Sequence, residues 1–212
     1  MGVIRFPTER RLQAAARAKA ETGPAQAVPA EDALQTEGEP LSYLSVEIRR
    51  VPRTESRIDG DIAGRILNRC VLSCLEILSK EKIPVDLAGT VLRPVIEATF
   101  QGGDGARRAA RSAIAIRDAV GTVQRERERE FHVYGAIAAG SVSQWDDGVR
   151  LTAGAPEQVA GRLREHAAPG QILLAGVVWD GCKDTVDVDG APIPVTLPGA
   201  EPVDVYSLVG LK

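Results

Sequence analysis

The hydrophobic and polar positions of the chain repeat with two different periods from residue 41 onward. In residues 43–48 every second residue, beginning with Leu44, is aliphatic, and this alternation predicts a strand with one apolar face. Apolar residues then recur every three or four positions, which predicts a helix capped by Asp59 or Asp61. The apolar positions of this helix are Ile62, Ile66, Leu67, Cys70, Val71, Cys74, Leu75 and Leu78.

A hairpin and a second helix are predicted next. The apolar runs 83–87 and 91–100 are separated by the Ala-Gly-Thr of residues 88–90, which predicts a β-hairpin that turns there. Small and aliphatic side chains then recur at helical spacing between residues 106 and 123. The alternating Arg/Glu run at 125–130 predicts a solvated helix end whose charges pair with one another.

The remaining elements complete a mixed fold. Residues 131–142 are apolar over enough length for a central strand, 155–166 predict a third helix and 171–174 a short strand. Between residues 185 and 209, brief alternation is interrupted by glycine and proline, which predicts short strands joined by turns. Strand, helix, strand, strand, helix, strand is the order of a ferredoxin-like βαββαβ core. We therefore expect an α/β (α+β) fold with this core and an additional C-terminal helix and strands.

The first forty residues carry a different charge pattern. Basic residues dominate positions 5–19, whereas the charged residues of positions 21–39 are all acidic and prolines interrupt the segment. This pattern predicts a flexible charged leader at residues 1–40, with a short basic helix on an acidic tether. The leader either stays disordered and solubilises the chain or folds on a partner protein. Residues 41–212 form the predicted folded domain.

The composition narrows the classes of partner and chemistry. Of 212 residues, 44% are hydrophobic and 26% charged, which is typical of a globular protein. A net charge of -3 gives no long-range attraction to nucleic acid or to an anionic membrane. Three cysteines and two histidines do not have the spacing of a disulfide framework or a zinc site. We therefore expect a cytoplasmic protein that binds neither nucleic acid nor a membrane and holds no metal or other cofactor.

Several stretches of the sequence resemble one known family. They are GRL at 161–163, AAPGQILL at 167–174, PVDVYSL at 202–208, ARRAARSAIAIRDAV at 106–120 and VYGAIAAGSV at 133–142. In this order and with these gaps they are similar to the catalytic domains of class III adenylate and guanylate cyclases. The resemblance covers residues 41–208. It implies the cyclase fold and a head-to-tail dimer, in which two aspartates hold two divalent metals on the triphosphate.

The metal-binding positions implied by this resemblance are altered. The first aspartate would fall at Glu47, which is a carboxylate one methylene longer. The second lies in the hairpin turn, where one register gives Arg93 and Pro94 and the other gives Gly89 and Thr90. Neither register supplies an acid, although Mg²⁺ needs charged oxygen ligands in fixed geometry. Glu97, the other acid nearby, is expected on an exposed face of the hairpin.

The positions that would read the base and stabilise the transition state are altered as well. The family's base-reading lysine would fall near Leu87, which cannot hydrogen-bond to a base. In the stretch GAPEQVAGRL at 154–163, Gln158 replaces the family's ribose-orienting asparagine and Arg162 matches its arginine. Glu47, Gln158 and Arg162 are therefore vestigial catalytic candidates.

These altered positions predict a cyclase architecture without the cyclase reaction. We expect a catalytically inactive cyclase-homology domain that acts as a dimerisation, signalling or regulatory module. It would form a homodimer, or a heterodimer with a cyclase-like domain, and its N-terminal segment would bind a client protein. Two alternatives remain open. The chain could be half of a heterodimeric adenylate or guanylate cyclase, or a metal-independent sensor that holds the phosphate of a nucleotide or small ligand on Arg93, Arg162 and Arg164.

Overall fold

A computed structural model of the chain describes residues 39–52, 58–124, 129–145, 148–151, 156–197 and 201–212. Within these ranges the chain forms eight strands and four helices. The strands are β1 (Glu39–Arg50), β2 (Val85–Thr90), β3 (Arg93–Gln101), β4 (Phe131–Trp145), β5 (Gly148–Leu151), β6 (Ile172–Ala175), β7 (Val186–Thr196) and β8 (Pro202–Leu211). The helices are α1 (Gly60–Lys80), α2 (Gly105–Val123), α3 (Pro156–His166) and α4 (Gly176–Cys182).

The strands form one sheet in the order β2-β3-β1-β4-β6-β8-β7, and β5 pairs with β4. Its first four strands, with α1 between β1 and β2 and α2 between β3 and β4, are the predicted ferredoxin-like βαββαβ core. The additional C-terminal helix and strands are also confirmed, because α3, β6, β7 and β8 follow this core. The pairing of β4 with β6 is parallel, and the other pairs are antiparallel.

Strand β1 lies at the centre of the sheet and is buried on both faces. Leu44, Val46 and Ile48 have no exposed surface, which confirms the predicted apolar face. Ser45 and Glu47 alternate with them and are buried as well. The reason is that α3 packs across β1 and β4 on that second face. The polar face of β1 therefore lies beneath a helix, where every polar group needs a partner.

Helix α1 begins where the sequence predicts. Asp59 is the N-cap, and its carboxylate accepts a hydrogen bond of 2.7 Å from the backbone N–H of Ile62. Asp61, the other candidate, lies in the first turn. The free thiols of Cys70 and Cys74 are buried against the core, and burial raises the pKa of these thiols to about 11 and about 12.

The hairpin turns two residues later than predicted. Thr90 pairs with Arg93, so Val91 and Leu92 form the turn and 88–90 belong to β2. Gly89 lies within β2 at a φ of +81°, where a side chain would collide with the Arg93 carbonyl. A glycine inside an extended segment therefore gives the same sequence signal as a turn.

The Arg/Glu run at 125–130 is described only at its last two residues. Helix α2 ends at Val123, and residues 125–128 lie outside the described residues. Glu130 is 2% exposed and forms an ion pair of 2.8 Å with Arg50 of β1. The prediction of a solvated, self-paired helix end is therefore wrong for Glu130, since its charge is neutralised across the sheet.

The C-terminal part is more regular than predicted. In place of several short strands, β7 and β8 are 11 and 10 residues long and pair with each other, with register shifts near Asp187 and Asp189. Helix α4, which sequence periodicity did not predict, connects β6 to this hairpin. The seven residues of α4 cover only two turns, which is too short for a helical period to be recognised.

The predicted leader falls almost wholly on residues 1–38, which lie outside the described residues, so its division from the folded domain stays a prediction. None of the helices in the described part of the chain is long and apolar enough to cross a membrane.

Candidate functional site

The buried carboxylate of Glu47 is the centre of a charged cluster on the polar face of β1. Glu47 pairs in register with Val95 of β3 and Tyr134 of β4. Its Oε1 accepts a hydrogen bond of 2.6 Å from Nε of Arg93, and its Oε2 accepts one of 2.7 Å from Nη2 of Arg49. Both carboxylate oxygens are therefore engaged by guanidinium groups of the same sheet.

Helix α3 contributes the third arginine. Nε of Arg164 lies 3.7 Å from Oε2 of Glu47, and Nη1 of Arg164 donates a hydrogen bond of 2.6 Å to Oγ of Ser45. That hydroxyl donates in turn to Oε1 of Glu97 at 3.4 Å, which places Glu97 4.0 Å from Arg164. The prediction of an exposed Glu97 is therefore wrong, because this side chain is only 19% exposed and faces the cluster.

The arginines of the cluster stabilise the charge of Glu47. Burial alone would raise the pKa of Glu47, but the hydrogen bonds from Arg49 and Arg93 outweigh it, and the pKa is lowered. The hydrogen bond to Glu47 also raises the pKa of Arg49. The Arg49 guanidinium lies 4.3 Å above the ring centre of Tyr134, a cation–π contact that further fixes its position. Glu47 is therefore an anion at neutral pH, held by the guanidinium groups of Arg49 and Arg93.

Two nitrogens of this cluster have no acceptor among the described residues. Nε of Arg49 and Nε of Arg164 are buried and form no hydrogen bond there. An unsatisfied buried donor costs about 1–3 kcal/mol. These two N–H groups could donate hydrogen bonds to an oxygen atom of an additional ligand.

The cluster does not suit the two divalent metals that a cyclase would hold. The oxygens of Glu47 already accept from guanidinium groups, and Arg93 lies near the hairpin turn where a second acid would be needed. Three arginines outnumber the two carboxylates, so a divalent cation would meet a net positive site. Within the described residues, no three His, Cys, Asp or Glu side chains are grouped to hold a metal.

The structure brings together some of the residues predicted from the sequence and separates others. Glu47, Arg93 and Arg164 meet in the cluster. Gln158 and Arg162 are exposed on α3, whereas Arg164 is the arginine of that helix that reaches β1. Leu87, at the expected base-reading position, is half-buried in β2.

Three members of the cluster were not predicted, namely Arg49, Ser45 and Glu97. Arg49 and Ser45 lie two residues from Glu47 on the same strand, so the period of two could have placed them beside it. Glu97 pairs with Ser45 across 52 residues of sequence, which local periodicity does not encode.

The arrangement holds two layers of the protein together. Arg164 joins α3 to β1, and Arg93 joins the hairpin to the same carboxylate. Tyr43 lies on this face too, and burial followed by the charges of Glu97 and Glu157 raises the pKa of its hydroxyl, which stays protonated. The lowered pKa of Glu47 and the raised pKa of Tyr43 both lead away from proton exchange near neutral pH.

Comparisons with known proteins place this geometry in a recognised fold. No protein-family model matches the sequence, and a comparison with curated proteins gives no match. Among solved structures, the guanylyl cyclase Cya2 is 18% identical with a TM-score of 0.65, over 82% of this chain and 95% of that chain. The adenylyl cyclase CyaB from P. aeruginosa is 19% identical with a TM-score of 0.65, over 83% and 96%.

A third structure adds information on assembly. A dimeric form of the guanylyl cyclase domain of the RhoGC fusion protein from the aquatic fungus Blastocladiella emersonii is 16% identical. It has a TM-score of 0.61, over 82% of this chain and 98% of that chain. The same fungal domain has also crystallised as a monomer. The described part of the chain, which lies between Glu39 and Lys212, therefore has the fold of class III adenylyl and guanylyl cyclase catalytic domains.

Proposed function

We propose that this protein is a non-catalytic cyclase-fold domain that acts as a dimerisation or regulatory module. The observation that carries the proposal is the ion-paired state of Glu47, whose two oxygens accept hydrogen bonds from Arg49 and Arg93. Cyclisation of a nucleoside triphosphate builds negative charge that bound metals neutralise. A carboxylate held by arginines serves the packing of the fold instead.

The apolar turn of the β2–β3 hairpin supports the role in association. Val91 and Leu92 are adjacent and 65% and 76% exposed. Burial of two large aliphatic side chains against a partner is favourable, because it removes apolar surface from water. The fungal RhoGC guanylyl cyclase domain, which has a similar fold and crystallised as a non-canonical dimer, supports this role.

The catalytic part of the proposal is tested by assay. The purified chain is incubated with ATP or GTP and Mg²⁺ or Mn²⁺, and cyclic nucleotide is measured by mass spectrometry. We expect no product above the protein-free blank. Product above the blank with the natural chain would overturn the proposal.

The association is tested by analytical ultracentrifugation at micromolar concentration. We expect a dimer, and we expect the double variant Val91→Asp, Leu92→Asp to weaken it at least tenfold because two charges would be buried. Leu72→Asp is the matched control, since Leu72 is also exposed but lies on α1. A strict monomer would contradict the proposal. Removal of residues 1–38, the part of the predicted leader that precedes β1 and that we propose to contact a client protein, should leave the dimer intact.

A second candidate function is metal-independent anion sensing. The observation in its favour is that the Nε atoms of Arg49 and Arg164 are buried and form no hydrogen bond with the described residues. They belong to the same cluster as Arg93, which is exposed. A phosphate oxygen could accept from these donors without a metal. Nucleotides in the absence of Mg²⁺ should then raise the midpoint of thermal unfolding. A flat response across nucleotides would exclude this function.

The third candidate is one half of a heterodimeric cyclase. Gln158 and Arg162 are four residues apart on α3 and both exposed, so a partner could reach them together. Cyclic nucleotide formed on mixing with a cyclase domain that lacks this pair, and lost with Arg162→Ala, would identify this function. Absence of product in the mixture would exclude it for that partner.

A further inference from the structure

A cavity between α1 and α2 is separate from the Glu47 cluster and is lined by cations. It has a volume of about 260 Å³. It lies at the C-terminal end of α1 and beside the first half of α2. Its lining residues are Ile77, Lys80, Glu81, Arg108, Arg111, Ser112 and Ala115. We propose that this cavity binds a small phosphomonoester of about the size of a sugar phosphate.

The charge of the lining favours an anion. Lys80, Arg108 and Arg111 bring three positive charges to the cavity, whereas Glu81 in the lining and Glu76, which pairs with Lys80, bring two negative charges. This local excess stands out in a chain whose net charge is -3. A phosphomonoester carries up to two negative charges and three acceptor oxygens, which matches two guanidinium groups and one ammonium group.

The three positive side chains of the cavity can bind a ligand because their contacts within the protein are weak. Arg111 is exposed and forms no ion pair with any described residue. Arg108 makes only long contacts, at 3.3 Å from the Glu81 carbonyl and 3.9 Å from the Glu81 carboxylate. Lys80 pairs with Glu76 in an exposed i,i+4 ion pair, which contributes little to stability and can be exchanged for a ligand.

The end of α1 does not repel the anion as a bare helix C-terminus would. Two of its last carbonyls already accept hydrogen bonds, because the N–H groups of Lys82 and Ile83 donate to the carbonyls of Ser79 and Leu78. Lys82 reaches this position with a φ of +54°, the left-handed conformation that closes a helix end. The negative end of the helix dipole is therefore screened by backbone donors.

The volume of the cavity and its uncharged lining residues limit which organic group the ligand can carry. Ile77 and Ala115 give it an apolar part, and the buried residue Ser112 offers a hydroxyl on the same face of α2 as Arg108. A volume of about 260 Å³ is just below the usual range for small-molecule pockets, about 300–1,000 Å³. The cavity therefore admits a short polyol or sugar with one phosphate, and excludes a dinucleotide.

The proposal is tested by isothermal titration calorimetry with the full chain, using ribose 5-phosphate, glycerol 3-phosphate, ribose and inorganic phosphate. We expect saturable binding of at least one sugar phosphate or polyol phosphate below millimolar concentration, and none of ribose. Arg111→Gln should weaken the binding at least tenfold, while Arg65→Gln, an exposed arginine of α1 outside the cavity, should leave it unchanged.

A second variant separates loss of the site from loss of the fold. Ala115→Leu places a good helix former at an exposed position of α2 and fills the cavity, so binding should be lost while the unfolding midpoint is kept. Undiminished binding in Ala115→Leu or Arg111→Gln would overturn the proposal. Equal affinity for inorganic phosphate and the phosphomonoesters, or no binding of any phosphomonoester, would overturn it too.

Discussion

At the scale of single residues, the carboxylate of Glu47 is the negative charge around which three arginines are arranged. Its side chain is 4% exposed, and the arginines around it come from β1, β3 and α3. A buried ion pair gains little over an apolar pair, but removal of one partner leaves the other charges without compensation. Glu47 is therefore a structural residue for the described domain.

Replacement of Glu47 by glutamine tests this role. The variant keeps the shape but leaves three guanidinium groups without their central anion, so we expect a loss of about 3 kcal/mol in the free energy of unfolding at pH 7. Urea denaturation measures it. Glu76→Gln, which breaks the exposed pair with Lys80, is the control and should change stability by less than about 0.5 kcal/mol.

The difference in stability between the natural chain and Glu47→Gln has a defined pH dependence. Because the folded-state pKa of Glu47 is below its ordinary value of 4.5, the stability that its charge contributes is complete above that value. It is lost as the pH falls through the lowered folded-state pKa. The difference between the natural chain and Glu47→Gln should therefore shrink in acid. A constant difference from pH 7 to pH 3 would contradict the role of the charge.

At the scale of elements, the start of α1 depends on one side chain. Asp59 accepts the Ile62 N–H at 2.7 Å, so we expect Asp59→Ala to cost about 1 kcal/mol. Asp61→Ala, two residues further in the first turn, removes only a favourable charge near the helix dipole and should cost a few tenths of that. Thermal unfolding followed by circular dichroism distinguishes the two, and equal losses would contradict the cap assignment.

The β2–β3 hairpin depends on a glycine outside its turn. Gly89→Ala forces a side chain into positive φ and against the Arg93 carbonyl, so we expect a loss of about 1–3 kcal/mol. Gly161→Ala on α3 meets no atom within 4 Å and should stabilise the protein by about 0.5–1 kcal/mol. Chemical denaturation of both variants measures the difference. A neutral Gly89→Ala would show that this backbone conformation is not required.

The elements with strong local signals could be predicted from the sequence, and those that depend on tertiary contacts could not. Helix α1 has both a cap and a long apolar period, and β1 alternates clearly. The turn at Val91 and Leu92 has two aliphatic residues and no turn residue, so the neighbouring Gly89 was the misleading signal. Glu130 resembled its charged neighbours in sequence, but its burial depends on Arg50, 80 residues earlier.

At the scale of the whole molecule, the candidate site could be predicted only in part for the same reason. The carboxylate at 47 follows from the strand pattern and the family resemblance. Its partners follow from the register between β1 and β3, which pairs Ser45 with Glu97, and from the docking of α3 across that face. Register and docking are properties of the folded chain, and no local window of sequence contains them.

The layout of the sheet predicts an order of local opening. Strand β1 is paired on both sides and buried, whereas β7 is an edge strand whose residues from Asp189 onward are mostly exposed. We expect backbone amides of β1 and β4 to exchange with deuterium slowest and those of β7 to exchange first. Mass spectrometry of peptic fragments resolves these strands. Equal protection in β7 and β1 would contradict this order.

The amide side chain of Gln124 has a practical consequence for protein engineering. Its nitrogen donates to the carbonyls of Val120 and Phe131, and its oxygen accepts from the N–H groups of Glu130 and Phe131. The end of α2 and the start of β4 are thus joined without using residues 125–128. A fluorescent reporter or epitope tag could be inserted there, since each doubling of a closed loop costs only about 0.6 kcal/mol.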